Sequence, residues 1–245
     1  RKTIANIVGV VKLVLGRKVW LPWELSLGKP TRPKQRYFTE EQLKRIIDAA
    51  TGQYRVLFAL LAGTGMRIGE AAGLYVEDVD LEHRVVYVRR AIWEGRELEP
   101  KTENGFREID IDETLTHVLK DFIGTRSAGR LFASQRGTPL AHGNLRRRVL
   151  TPLLQQLGIP GAGLHAFRHS RVTMLRKSGT PAELQQKWLG HSSLRTGDRY
   201  NHSTEELEYR KHAVARVGMD RILGPNGPKS EKAPAPSESP LRASV

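Results

Sequence analysis

The sequence predicts an α+β fold that is mainly helical and contains a small three-stranded antiparallel sheet. Apolar residues recur at helical spacing over most of the chain, which indicates the helices. One segment rich in Val and Tyr is followed by two short strand-like segments around a turn, which indicates the sheet. Hydrophobic residues make up 39% of the 245 residues, which is enough to bury a sizeable core.

The first predicted element is an amphipathic helix over residues 3–16, in which Ile4, Ile7 and Val11 recur at helical spacing. The stretch that follows, up to residue 35, contains three prolines and is expected to be a linker. Because a lone helix cannot bury its apolar face, we expect residues 1–35 to be the end of a truncated N-terminal domain together with this linker.

The predicted central elements begin at Thr39, which precedes two Glu residues and Gln42. This arrangement is typical of an N-cap and predicts a helix through Ala50. Two further helices and three strands are expected, at residues 53–62 and 66–74 for the helices and 84–90, 97–101 and 106–111 for the strands. Residues 102–105 supply the turn before the last strand.

The second half of the chain is predicted to be helical again. The expected helices are near residues 113–123, 142–157, 165–178, 181–189 and 204–222. From Gly224 onward Pro, Ser, Lys and Glu dominate, so residues 224–245 are expected to be a disordered tail. The main domain would then span residues 36–223.

Positive charge is concentrated in parts of the chain. The formal net charge is +14. Residues 1–36 carry nine basic side chains and one acidic side chain, and no Asp or Glu occurs between Phe122 and Pro181. Because clustered Lys and Arg bind polyanions, the leading expectation is a nucleic-acid partner.

The composition also excludes several kinds of site. There is no Cys, so disulfides, Cys-ligated zinc, iron–sulfur clusters and thiol nucleophiles are excluded. The longest apolar run, from Ile4 to Leu15, is too short to span the bilayer core of roughly 30 Å, and no membrane partner is predicted. We expect a cytoplasmic, nucleoid-associated protein.

Four short segments contain the residues that point to chemistry. They are Thr64–Glu70 with Arg67, Pro100–Thr102 with Lys101, His165–His169 with Arg168, and Leu189–Ser193 with His191, followed by Tyr200. Their order and content resemble the catalytic domain of the tyrosine recombinase (phage integrase) family, over roughly residues 36–215. The resemblance implies the tyrosine recombinase catalytic-domain fold for residues 36–223, after the end of a truncated core-binding domain.

The arginines fit phosphodiester chemistry on physical grounds. Cleavage without a metal needs a hydroxyl nucleophile and fixed donors that neutralise the charge growing on the phosphate. A guanidinium stays charged and can donate two parallel hydrogen bonds, so Arg67 and Arg168 suit this task. Arg168 follows His165 by one helical turn, which puts both on one face. The ordinary alternative for Arg67 is an ion pair with Glu70 at i+3.

The resemblance implies roles for the remaining residues. Tyr200 would be the nucleophile, and its ordinary pKa of about 10 means that it needs a base or electrostatic help. His165 would be that base, and Lys101 would be the acid that protonates the departing 5′-oxygen. His191 would donate a hydrogen bond to a phosphate oxygen. No metal and no cofactor are expected.

A run of three arginines, Arg146, Arg147 and Arg148, falls in the predicted helix 142–157, whose other face is apolar. One or two of the three are expected to face outward and bind DNA phosphates or reach the major groove. A solvated basic face without a ligand is an equal alternative.

The resemblance implies a site-specific DNA recombinase that cuts and rejoins DNA through a covalent 3′-phosphotyrosyl intermediate, in the integration or excision of a mobile element. The alternatives are relaxation of supercoiled DNA by a type IB topoisomerase, a catalytically silent DNA-binding module, and a metal-dependent transposase. The expected partner is double-stranded DNA, with a monomer in free solution and a homotetramer on synapsed DNA sites. The helix at 204–222 either packs on its own domain or docks into a neighbouring protomer, and the resemblance favours docking.

Overall fold

The computed structural model describes residues 2–15, 36–98, 106–190 and 206–224. The chain divides into two compact units, residues 1–35 and residues 36–245. In the first unit, helix α1 spans Lys2–Leu15, and apolar residues such as Ile4, Ile7 and Leu13 are exposed on it. The predicted tail lies outside the described residues except for Gly224.

The second unit begins with three helices: α2 (Glu40–Ala49), α3 (Gly52–Thr64) and the short α4 (Ile68–Ala72). Thr39 caps α2 as predicted. Its side chain accepts a hydrogen bond from the Gln42 N–H at 3.2 Å, and the Gln42 side chain accepts one from the Thr39 N–H at 3.0 Å. This capping box satisfies backbone donors that the first turn of a helix leaves unpaired.

The predicted three-stranded antiparallel sheet is present, but the prediction that the strand at 97–101 belongs to it is wrong, since residues 96–98 pair in a separate hairpin. Its order is β1 (Val79–Asp80), β2 (Val85–Val88) and β5 (Arg107–Asp110), with β2 in the middle. Strands β3 (Ala91–Trp93) and β4 (Arg96–Leu98) form a separate hairpin. Glu94 and Gly95 both have positive φ and make a two-residue turn that pairs β4 with β3. The predicted turn at 102–105 lies outside the described residues.

The remaining elements are helical. They are α5 (Glu113–Ile123), α6 (His142–Leu145), α7 (Thr151–Gln156), α8 (His165–Lys177), α9 (Ala182–Leu189), α10 (Leu207–Ala215) and α11 (Asp220–Leu223). A π-helical turn, Arg146–Leu150, joins α6 to α7, so the predicted helix 142–157 widens at its middle. The predicted helix 204–222 is two helices with a break at residues 216–219.

Helix α3 lies at the centre of the core. Every residue from Val56 to Thr64 is buried, and α3 packs against α2, α5 and α8. Phe58 of α3 stacks on Phe167 of α8 with ring centroids 5.2 Å apart, and Phe38 meets the same ring edge-on. The class predicted from the sequence, mainly helical with a small antiparallel sheet, is confirmed. Among the described residues, no helix is both long enough and apolar enough to cross a membrane.

The C-terminal helices α10 and α11 pack on their own domain. Val214, Val217 and Ile222 are buried in the same core as α3, and α11 lies against α2. Lys211 contacts Asp110 at the end of β5 at 3.2 Å. Of the two arrangements considered for this segment, the single chain adopts the one in which the apolar residues cover their own core.

Replacing Ile222 by Ala should lower the free energy of unfolding by about 2–5 kcal/mol, because the side chain is fully buried and its loss leaves a cavity. Urea unfolding measures the change. Leu207→Ala, at an exposed apolar position on α10, is the control and should have a much smaller effect. Equal and small losses for both variants would mean that α11 does not belong to this core.

Candidate active site

Arg67 lies at the N-terminus of α4, just after α3 ends. Its backbone N–H donates to Glu70 Oε2 at 2.7 Å, and its Nη1 donates to Glu70 Oε1 at 2.9 Å. The ion pair considered as the alternative for Arg67 is therefore present. The Arg67 side chain is nonetheless 48% exposed, so much of its guanidinium remains accessible to an anion.

Arg168 lies one turn after His165 in α8 and is buried. Its Nη1 donates to the Gly65 carbonyl at 2.9 Å, and its Nη2 donates to the Leu189 carbonyl. Burial, with the nearby positive charge of Arg67 adding to it, lowers the pKa of Arg168 to about 10. The guanidinium stays protonated at neutral pH and ties the end of α9 to the turn that precedes Arg67.

His165 is the first residue of α8, and its ring meets the ring of His169 edge-on at 4.8 Å between centroids. Partial burial lowers the pKa of His165, and the charges of His169, Arg168 and Arg67 lower it further. The neutral imidazole is therefore favoured, and a neutral ring can accept a proton. His169 packs directly against the candidate base.

Glu70 and Arg107 form a buried ion pair that sequence reasoning did not identify as part of the site. Arg107 Nη2 lies 2.7 Å from Glu70 Oε2, and Arg107 Nη1 lies 3.1 Å from Glu70 Oε1. Burial of Glu70 favours its neutral form, but the hydrogen bonds and charges of Arg107 and Arg67 outweigh burial and lower the pKa of Glu70. The carboxylate is therefore ionised at neutral pH.

Strand β5 connects this ion pair to two helices. Arg107 Nε donates to the Trp188 carbonyl in α9 at 2.9 Å. At the other end of β5, the side chain of Asp110 accepts a hydrogen bond from Trp188 Nε1 at 2.8 Å and lies 3.2 Å from both Arg210 Nε and Lys211 Nζ in α10. One strand thus holds α4, α9 and α10 together.

Three of the predicted site residues lie outside the described residues. Lys101 falls in residues 99–105, and His191 and Tyr200 fall in residues 191–205. The structure brings together Arg67, His165 and Arg168, the three catalytic candidates that it describes. Within the described segments, no group of three or more His, Asp or Glu side chains is arranged to hold a metal ion.

The three consecutive arginines are all exposed, although only one or two of them were expected to face outward. They lie in the π-helical turn, where Leu145 before them and Leu150 at its end are buried. The wider turn changes the angle between successive side chains, so Arg146, Arg147 and Arg148 fit between two buried leucines without any of them entering the core.

The chain belongs to the phage integrase family, whose family model matches residues 36–206. It is 31% identical over 226 residues to the tyrosine recombinase XerC of Mycobacterium leprae, covering 82% of this chain and 73% of the relative. It is 29% identical over 195 residues to the XerC-like tyrosine recombinase of Caldanaerobacter subterraneus subsp. tengcongensis, covering 67% of this chain. The chain spans 50% of the length of that relative and 61% of XerC from Halalkalibacterium halodurans.

Solved structures show the same fold. The Tn1549 transposon integrase in complex with circular intermediate DNA matches with a TM-score of 0.62 and 26% identity, over 76% of this chain and 69% of that one. The XerA recombinase matches with a TM-score of 0.54 and 24% identity, over 74% of this chain and 67% of that one. The predicted tyrosine recombinase catalytic-domain fold is confirmed.

The lowered pKa values of His165 and His169 predict that stability falls as the pH drops from 7.5 to 5.5. In this window the unfolded chain, with His pKa of about 6.5, binds protons more readily than the folded chain does. Urea unfolding at both pH values measures the fall in the free energy of unfolding. The double variant His165→Gln/His169→Gln should show a smaller fall, and an unchanged fall would contradict the assignment.

Proposed function

We propose that the chain is the catalytic part of a site-specific DNA recombinase that cuts and rejoins DNA through a covalent 3′-phosphotyrosyl intermediate. The observation that carries the proposal is the convergence of Arg67, His165 and Arg168. These residues come from two separate sequence motifs: Arg168 donates a hydrogen bond to the Gly65 carbonyl, two residues before Arg67, and the charges of Arg168 and Arg67 both lower the pKa of His165. The names of the relatives, tyrosine recombinases and integrases, support the same activity.

Arg67 and Arg168 would bind the scissile phosphate. Arg67 offers an exposed guanidinium. Arg168 offers the N–H groups that it does not use in its two hydrogen bonds to backbone carbonyls. Both are fixed before DNA arrives, Arg67 by Glu70 and Arg168 by Gly65 and Leu189. Donors fixed in advance stabilise the charge of the transition state without the cost of reorganisation.

The proposed reaction transfers two protons, one from the nucleophile and one to the leaving group. Tyr200 Oη attacks the phosphorus while neutral His165 accepts the phenolic proton. The bond to the 5′-oxygen breaks, and that oxygen takes a proton from Lys101 and leaves as a hydroxyl. His191 donates a hydrogen bond to a non-bridging phosphate oxygen. The reverse attack by a 5′-hydroxyl, from the same or another DNA strand, releases Tyr200 and restores the phosphodiester.

The substrate we propose is double-stranded DNA carried by a mobile element. We propose that the protein acts on it in the cytoplasm, at the nucleoid. The likeness to a transposon integrase supports integration or excision as the reaction. The exposed Arg146, Arg147 and Arg148 would contact the DNA backbone or its major groove. We further propose that the protein is monomeric in free solution and acts as a homotetramer on two synapsed DNA sites.

A covalent-capture experiment tests the proposal. The chain is incubated with nicked duplexes that have a randomised central segment. After cleavage a short fragment dissociates from the duplex, and its loss prevents rejoining. Denaturing electrophoresis isolates the protein–DNA adducts, and sequencing them yields the preferred site. Absence of any adduct favours the silent DNA-binding module, and relaxation of plasmid DNA without exchange of partners favours a type IB topoisomerase.

Tyr200→Phe should abolish the adduct and leave DNA affinity nearly unchanged, because only the nucleophilic oxygen is removed. Gel electrophoresis of the adduct and a binding titration on the selected duplex separate the two effects. An adduct formed by the Phe variant would place the nucleophile elsewhere.

Arg67→Ala should slow cleavage by about 10²-fold or more, the usual effect of losing one preorganised donor. The matched control is Arg89→Ala, since Arg89 is 49% exposed and also pairs with a buried carboxylate, Asp78. The control should cleave at the wild-type rate. If Arg67→Ala impairs only DNA binding, Arg67 positions a phosphate without acting in the chemical step.

Cleavage should continue in EDTA, because side chains supply the charge neutralisation and the phosphotyrosyl bond conserves the energy of the broken linkage. The rate of adduct formation is compared with and without the chelator. Loss of activity that Mg²⁺ restores would favour the metal-dependent alternative.

A further inference from the structure

We propose that Arg107 is a positioning residue for cleavage. It neutralises Glu70, so that Arg67 remains available to a phosphate, and it fixes the end of α9 directly before His191. The proposal rests on the proposed function of Arg67 and His191. Its basis in the structure is the set of contacts that Arg107 makes with Glu70, Trp188 and Gly190.

The first step of the argument is that two arginines share one carboxylate. Glu70 Oε1 accepts from Arg67 Nη1 at 2.9 Å and from Arg107 Nη1 at 3.1 Å. Glu70 Oε2 accepts from the Arg67 backbone N–H and from Arg107 Nη2, both at 2.7 Å. Arg107 is the bidentate partner and its side chain is only 4% exposed, so it is the principal counter-charge of Glu70.

The second step concerns the charge left for a phosphate. Glu70 carries one negative charge among the three positive charges of Arg67, Arg107 and Arg168. With Arg107 in place, the cluster keeps an excess of positive charge, and the exposed guanidinium of Arg67 makes one hydrogen bond to Glu70. Without Arg107, the buried carboxylate would have Arg67 as its nearest cation, and the pair would be close to neutral.

The third step concerns the segment that leads to His191. Arg107 Nε donates to the Trp188 carbonyl at the C-terminal end of α9, where the helix dipole favours a cation. Gly190 ends the helix with a left-handed φ of 65°, and a Cβ there would lie 3.1 Å from Arg107 Nη1. Arg107 therefore packs directly against the residue that precedes His191.

A lysine cannot reproduce this arrangement. The guanidinium of Arg107 reaches both Glu70 oxygens and the Trp188 carbonyl at the same time, because its donors have a fixed planar geometry. A single ammonium group would keep the charge beside Glu70 but lose the geometry that links α4 to α9.

The test uses four forms of the full chain: wild type, Arg107→Met, Glu70→Gln and the double variant Glu70→Gln/Arg107→Met. The adduct-forming rate in a single turnover and the affinity for the selected duplex are measured for each. Arg107→Met should cleave about 10²-fold more slowly with DNA affinity nearly unchanged, since small misplacements of catalytic groups have effects of this size. The double variant should cleave about fivefold faster than Arg107→Met, because Arg67 no longer faces a charged carboxylate.

The rescue by Glu70→Gln distinguishes positioning from a general loss of stability. Arg90→Met is the matched control, because Arg90 also pairs with a buried carboxylate, Asp78, and lies outside the proposed machinery. It should lose stability and keep the wild-type cleavage rate. Wild-type cleavage by Arg107→Met, or no gain in the double variant, would overturn the proposal.

A second measurement does not depend on cleavage. In Arg107→Lys, which keeps the buried charge and should fold, amide hydrogen exchange should rise in residues 66–72 and 184–190 together. Unchanged exchange in both segments would overturn the proposed coupling. If the wild-type chain forms no adduct on any duplex, the proposed recombinase function fails, while the exchange result still decides whether Arg107 couples α4 to α9.

Discussion

The ion pair between Glu70 and Arg107 is the interaction on which the site depends. Moving both charges into the protein interior is costly, and only near-ideal geometry with further hydrogen bonds offsets that cost. Here the carboxylate receives four hydrogen bonds, two from Arg107 and two from Arg67. Helix α4 is thereby bound to strand β5, although the two are far apart in the sequence.

The core determines where this ion pair forms. Helix α3 is buried from Val56 to its end at Thr64, and the stacked rings of Phe58 and Phe167 set α8 against it. Arg168 on α8 then reaches the carbonyls of Gly65 and Leu189, which lie at the ends of α3 and α9. Apolar packing therefore brings three chain segments together, and buried arginines fix their ends relative to one another.

Sequence patterns predicted the features that depend on local chemistry. The capping residues at Thr39 marked the start of α2, and the motifs containing Arg67 and Arg168 identified residues that lie together in the fold. The pairing of β4 with β3 depends on the two-residue turn at Glu94 and Gly95, which the sequence analysis did not predict, and the π-helical turn does not alter the apolar pattern. Arg107 was missed because its partners, Glu70 and Trp188, lie 37 and 81 residues away.

Strand β5 also contacts the described elements that lie next to the remaining candidate residues in the sequence. Residues 99–105, with Lys101, lead into β5. Residues 191–205, with His191 and Tyr200, begin after Gly190, which packs against Arg107, and end before α10, whose Arg210 and Lys211 contact Asp110. The described residues on both sides of residues 191–205 therefore contact the strand that also holds Glu70. Any displacement of β5 would disturb its contacts with Glu70, Trp188 and Lys211 together, so the relative positions of α4, α9 and α10 depend on one short strand.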